Sequence, residues 1–240
     1  MTTYLLVHGA WHTGECWARV VPLLEAAGHR VLAPTLTGYG ETAHLAGPEV
    51  GLDTHVDDVA GLIRAEGLTD VVLVGHSYAG LVISSVANEV PDRIARLVYL
   101  DAMVPEHGET AADVLPVTQA MIEAALASES GWRVPPMPEL PPPDGLFGVT
   151  EPADVAWLRT MLSDQPVRCL QQPVRLDNPA TRTIPRTHIH CTVKPDGFER
   201  RPVPAVQPNG TPAEIWELAT GHDCMITAPG ELSELLLKLG

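Results

Sequence analysis

Positive charge is scarce in this 240-residue chain: fifteen Lys and Arg stand against thirty Asp and Glu, a formal charge of −15 at pH 7. The densest basic pair, Arg200 and Arg201, is too small to hold a phosphate backbone or an anionic membrane surface. Nucleic acid and membrane therefore drop out as partners. Cysteine is sparse as well, and Cys16, Cys169, Cys191 and Cys224 show no CxxC spacing. Neither a disulfide framework nor a zinc knuckle is expected. No apolar run approaches the ~18 residues of a membrane span. The N-terminus has no basic n-region and too short an apolar run for a secretory signal. The expectation is a soluble, cytoplasmic protein with no metal and no cofactor.

What is present is alternation. Short apolar runs (Tyr4–His8, His29–Ala33, Val71–Val74, Ile94–Leu100) are separated by helical periodicities at Cys16–Ala27, Asp53–Ala65 and Leu81–Glu89, with Asp53 expected to cap the second helix. This is the signature of βαβ units and an α/β fold with a mostly parallel, doubly wound sheet. The pattern lapses after Pro105, where Pro135 to Pro143 holds six prolines in nine positions and excludes helix or central strand. Two helices are expected around that stretch, at Val117–Ser128 and Ala153–Leu162. Strands at Thr187–Thr192 and Glu214–Leu218 and a helix at Glu231–Leu239 complete the chain. The expected organisation is a core of residues 1–104 and 187–240, with residues 105–186 inserted as a cap.

The strongest motif is Gly75-His76-Ser77-Tyr78-Ala79-Gly80, set between a strand and a helix. A serine hydroxyl is a weak nucleophile; a sharp strand-to-helix turn lifts Oγ above the sheet edge, and the helix N-terminus faces a developing oxyanion. His8-Gly9-Ala10-Trp11 ends the first strand, where such an architecture draws its second oxyanion N–H. Ala10 and Tyr78 are the expected main-chain donors, with Gly9 permitting close approach of the substrate. Gly221-His222-Asp223 follows the last strand, at the sheet edge where a general base must sit. His188 and His190 have strand spacing; a half-buried strand face explains them better than a metal site, because no third ligand lies at a recognisable spacing.

Together these residues resemble the α/β-hydrolase superfamily, and within it the compact branch of plant methyl-ester esterases and hydroxynitrile lyases with their small bacterial relatives. The likeness covers essentially the whole chain: the Leu-Val-His-Gly-Ala opening, the Leu-Leu-Glu-Ala-Ala-Gly-His segment, the elbow, the cap and the Gly-His-Asp end. It implies about six strands, with the two N-terminal strands of the larger fold missing. It also implies a Ser–His–acid triad of Ser77, His222 and an aspartate. In the plant branch the acid follows the strand corresponding to Thr187–Thr192, but here Lys194 holds that place. Asp196 serves only if the loop shifts; Asp101, ending an apolar strand, is the favoured acid and Asp196 the alternative, since an unpaired buried carboxylate is costly. The resemblance also weighs against lyase chemistry, because Gly9 and Asp223 stand where lyases carry threonine and a cyanide-holding lysine, and a carboxylate at 223 would repel the anion.

The expected function is therefore hydrolysis of a small or medium, largely apolar carboxylic ester or lactone through an acyl-enzyme. The same triad acting on a carbon–carbon, amide or thioester bond, or a silent binding protein, are the alternatives. Trp11, Trp132 and Trp157, with Met121, Met137, Phe147, Leu158 and Met161, are candidate pocket walls. The partner is a small molecule, and a homodimer is left open.

Overall fold

A computed structural model describes residues 1–240. Six parallel strands, β1 (Thr3–Val7), β2 (Arg30–Leu32), β3 (Val71–His76), β4 (Ile94–Leu100), β7 (Arg186–Cys191) and β8 (Glu214–Leu218), form one sheet in the order β2-β1-β3-β4-β7-β8. The expected α/β class and sheet are found. The order reverses between β1 and β3, so a crevice opens there beyond the carboxyl ends of the strands, the place where open α/β sheets bind ligands. Both faces are covered. Leu5, Leu73, Leu97 and Tyr99 pack on one side against α2 (Leu52–Ala65) and α3 (Ala79–Glu89). Tyr4, Leu6, Val72 and Val98 pack on the other against α1 (Val21–Ala26) and α9 (Pro229–Leu237), which follows a short α8 (Cys224–Thr227). Burial on both faces is why the strands read as continuous apolar runs.

Local chemistry moves two expected boundaries. The helix expected over Cys16–Ala27 is a 3₁₀ turn, Gly14–Trp17, followed by the short α1. Pro22 lacks an N–H and is tolerated only in a first turn, so α1 has to begin beside it. Asp53 does not cap α2: the N-cap is Gly51, whose N–H donates to Thr54 Oγ1 at 3.1 Å.

Between β4 and β7 the chain leaves the sheet. It forms α4 (Ala111–Val114), α5 (Val117–Ala127), α6 (Pro152–Met161) and α7 (Arg168–Gln171). Two two-residue strands, β5 (Arg133–Val134) and β6 (Gln165–Pro166), pair antiparallel beneath them. The two expected helices are α5 and α6; the proline stretch carries no regular element. Residues 192–213, between β7 and β8, also contain no helix.

Candidate active site

The elbow is built from small residues because backbone approaches backbone there. A Cβ on Gly75 would stand 2.7 Å from the Ala79 carbonyl oxygen, and one on Gly80 would stand 1.8 Å from the Met103 carbonyl oxygen. Ser77 is left-handed, at φ 56°. Its N–H donates to the Leu100 carbonyl (3.2 Å), and its own carbonyl accepts from Gly80 (3.1 Å) and Met103 (3.0 Å). The turn is thus pinned to the end of β4 and to the start of α3.

Ser77 lines a cavity of about 700 Å³ at the carboxyl edge, together with Ala10, Trp11, Tyr78, Asp101 and His222. His222 Nδ1 donates to Asp101 Oδ2 at 2.5 Å, which leaves Nε2 without a hydrogen-bond partner in the protein. Asp101 is 8% exposed and sits at φ 46° just past β4. It accepts further bonds from the Cys191 N–H (3.2 Å), from Lys194 Nζ and from Arg200. Burial alone would raise its carboxyl. The hydrogen bond and charge of His222, with the charge of Lys194, outweigh burial and hold it well below the usual carboxylate range. Asp196 is exposed. Lys194, standing where the plant branch has its acid, turns back to pair with Asp101.

Neither the Ala10 nor the Tyr78 main-chain N–H donates a hydrogen bond within the protein, although both residues are buried. The first is oriented by histidine. His8 Nδ1 donates to the Gly9 carbonyl (2.8 Å) while its Nε2 accepts from the Leu36 N–H (3.0 Å). Because the peptide is planar and trans, fixing the Gly9 oxygen turns the Ala10 N–H the opposite way. The second is held by its side chain. The Tyr78 hydroxyl donates to His55 Nδ1 (3.0 Å), and His55 Nε2 donates to the Thr37 carbonyl (3.0 Å).

A second buried histidine–carboxylate pair lies behind the first. His12 Nε2 donates to Asp223 Oδ2 at 2.9 Å and its Nδ1 donates to the Ala10 carbonyl at 2.7 Å. Acceptors at both nitrogens favour the imidazolium form of the ring. Burial would lower His12, but the charge and hydrogen bond of Asp223 raise it. Burial opposes the Asp223 charge, but His12 holds that carboxyl low. Asp223 therefore does not face the substrate, as the sequence comparison with lyases had it; it points inward and ties the His222 loop to the Ala10 loop. The His76 ring lies tilted against His222 at 4.5 Å between centroids, and its Nε2 donates to the His222 carbonyl at 3.1 Å. Burial, then the His222 charge, pushes His76 down to about 3, so it stays neutral. One ligand atom each of His76, His222 and Asp223 lie within 4.8 Å of one another. His222 Nδ1, His76 Nε2 and Asp223 Oδ2 are bonded, while His76 Nδ1 and Asp223 Oδ1 are buried without a hydrogen-bond partner; the three residues form an electrostatic cluster joining two loops.

The pair makes a prediction about stability. Asp223, with its folded pKa depressed, contributes above its unfolded value near 4 and loses that contribution as pH falls below it. His12, with its folded pKa raised, contributes fully below its unfolded value near 6.5 and loses that contribution as pH rises through the folded one. The pair is strongest between about pH 4 and 6.5. Asp223→Asn should cost about 3–5 kcal/mol there, and less at pH 8.5. Urea unfolding of both proteins at pH 5.5 and 8.5 measures this; an equal cost at the two values contradicts the ionic pair.

The cavity walls depart from expectation. Trp11, Met121, Met137 and Phe147 line the cavity, whereas Trp132 and Trp157 do not. Arg133 stacks on Trp132 at 4.2 Å. Trp157 turns to the surface, under Arg19 at 4.9 Å, with Nε1 donating to Glu15. Leu158 and Met161 are spent in the core against β-sheet residues. Gly9 does not line the cavity either; a Cβ there would meet Ser77 Cβ at 2.9 Å, so the glycine makes room for the elbow. The hairpin around Leu146–Val149 reaches over the His222 loop: the Asp223 N–H donates to the Phe147 carbonyl (2.9 Å), and Gly148 and Gly221 approach so closely that a Cβ on Gly148 would stand 2.5 Å from Gly221 Cα. Phe147 adopts φ 53° and its ring lies 5.6 Å from Trp11. His188 and His190 lie on a strand face, as expected, but that face lines the cavity as well.

Known proteins are similar to this chain in sequence and in fold. The family model described as "Alpha/beta hydrolase family" matches residues 4–235. A carbendazim-hydrolysing esterase of Nocardioides sp. (strain SG-4G) is 39% identical over the full length of both chains. A pyrethroid hydrolase of Sphingobium wenxiniae is 43% identical over 46% of this chain and 39% of its own. An extracellular alpha/beta-hydrolase from a Paenibacillus species, described as sharing structural and functional homology with tobacco salicylic acid binding protein 2, superposes with a TM-score of 0.81. It is 25% identical, over 100% of this chain and 99% of its own.

Proposed function

Because this chain belongs to the α/β-hydrolase family, we propose that it is a serine esterase that cleaves carboxylic esters through an acyl-enzyme on Ser77. One arrangement supports the reading: a left-handed serine, a His222–Asp101 pair and two unused main-chain N–H groups border a single cavity. Ser77 Oγ attacks the ester carbonyl as His222 Nε2 takes its proton. Asp101 fixes the His222 tautomer and balances the imidazolium that forms. The oxyanion is met by the N–H groups of Ala10 and Tyr78, and neither has to break an existing bond to do so. His222 then returns its proton to the departing alcohol and activates the water that releases the acid. Residues 105–186 act as the cap that selects the substrate, through Met121, Met137 and Phe147. We place the protein in the cytoplasm, a reading supported by four buried, free cysteines.

A fluorophosphonate probe tests this directly. A single adduct mapped by mass spectrometry to Ser77, together with turnover of p-nitrophenyl esters, is the expected result. The names of the two curated relatives put carbendazim and pyrethroids on the substrate panel as well. An unlabelled Ser77 in folded protein would sink the proposal.

A further inference from the structure

The cavity does not end at Ser77. It continues along one face of β7, where every second side chain, Arg186, His188 and His190, lines it. The connection from β7 to β8 brings no helix to this face; part of the irregular 192–213 segment lines it instead, through Phe198, Pro202, Pro204 and Val206. Behind this face His188 is backed by Tyr99, a buried ring that does not itself line the cavity; it stacks on His188 at 5.2 Å and 11°, with its hydroxyl bonded to Ser84 Oγ at 2.8 Å. Val117, Thr118 and Met121 of α5 contribute a further wall.

The polar groups in this extension are distinctive. Four Lys or Arg side chains line the cavity. Lys194 and Arg200 are paired with Asp101 and Arg201 with Glu109, whereas Arg186 has no carboxylate within ion-pair distance. Arg186 Nε is buried without a hydrogen-bond partner, and so is Nδ1 of His188, a residue only 4% exposed. Burying such groups unpaired is costly. Of the other lining carboxylates, Glu106 and Glu199 are exposed and Asp144 is half-buried. Burial, then the charges of His190 and Arg186, pushes His188 down to about 4, so at neutral pH it is a neutral ring with one N–H to offer. Leu97 pairs with Arg186 in the sheet, while the Asp101 N–H bonds Ile189. The four steps along the strand from Leu97 to Asp101 therefore separate Arg186 from the level of the acid by about 13 Å.

We propose that the β7 face is a distal subsite for a carboxylate: the substrate is an elongated ester whose carbonyl sits at Ser77 and whose anionic far end is held by Arg186 and His188. This rests on the ester-hydrolase reading for the identity of the near end. A net charge of −15 does not oppose it, because a ligand feels most the groups nearest to it, and on the β7 face the nearest charge is Arg186, whereas Glu106, Asp144 and Glu199 reach solvent and are screened.

The test uses p-nitrophenyl monoesters of linear dicarboxylic acids of graded length, each compared with its ω-carboxamide and ω-methyl counterparts. At the best length, kcat/KM for the carboxylate should exceed that for the carboxamide by about tenfold or more, the range of a hydrogen bond to a charged group. Arg186→Gln should collapse that ratio to near one, and Arg186→Lys should keep part of it. A carboxylate with no advantage at any length, or an advantage that survives Arg186→Gln, overturns the subsite. Calorimetric binding of the free dicarboxylate to a Ser77→Ala protein, with and without Arg186→Gln, separates the two readings. Arg186-dependent binding without ester turnover keeps the subsite and removes the esterase; turnover without a carboxylate preference does the reverse.

Discussion

Ser77→Ala is expected to lower kcat on a short p-nitrophenyl ester by about 10⁶, the loss seen when a triad serine is removed. The size follows from the division of labour in the site. Without Oγ there is no acyl-enzyme, and His222 has no proton to take. The two main-chain N–H groups and the cavity remain, so a residual rate of about 10³–10⁴ over water should persist from oxyanion binding and positioning. Alanine can replace serine at φ 56° without new backbone cost, because both carry a Cβ and suffer the same left-handed penalty. The variant should therefore fold normally, and its circular dichroism and midpoint of unfolding serve as controls. A loss smaller than about a hundredfold in a well-folded variant would mean that another group attacks the ester.

Asp101→Asn should cost about 10⁴ in kcat, whereas Asp196→Asn should leave turnover within a factor of about two. Asparagine preserves the shape of the site but can present its amide N–H to His222, which favours the wrong tautomer. It also cannot balance the imidazolium. In this protein the charge has further duties, because Lys194 and Arg200 both lean on Asp101. Neutralising it leaves two cations facing each other at a buried site, so stability should fall along with activity. For that reason kcat is to be read on protein shown to be folded at the assay temperature. If Asp196→Asn is the variant that loses turnover, the loop after β7 supplies the acid and the proposed triad is wrong.

The elbow and the sheet were legible because their grammar is local. Gly75, Ser77 and Gly80 are needed by one tight turn, and apolar runs separated by helical periods dictate a parallel sheet without knowledge of distant contacts. The acid was harder. Asp101 and Asp196 both fit by position, and the difference lies in how residues 192–213 turn Lys194 back onto Asp101, which no short motif encodes. Asp223 was misread for a similar reason. Its partner, His12, lies 211 residues away in sequence, so nothing near position 223 announces that the carboxylate points inward. The wall residues failed in another way. Composition marks Trp132 and Trp157 as large and apolar, but orientation decides whether such a ring faces a cavity or shelters an arginine. Arg186 carries no local signal, because its meaning depends on the lack of a helix between β7 and β8, and an absent element leaves no periodicity to find.

Five residues other than glycine adopt a left-handed backbone, and four of them, Trp11, Ser77, Asp101 and Phe147, border the cavity. Conformations of this kind cost on the order of 1–3 kcal/mol each, so the rim of the site is held in place by the rest of the fold. Evolution toward heat resistance would meet a conflict here. Glycine at these four positions relaxes the chain, yet each such exchange deletes a side chain that the chemistry or the wall requires. Laboratory selection for thermal survival alone should thus drift toward inert proteins, while selection that demands turnover should place its stabilising changes elsewhere, in the sheet and its flanking helices.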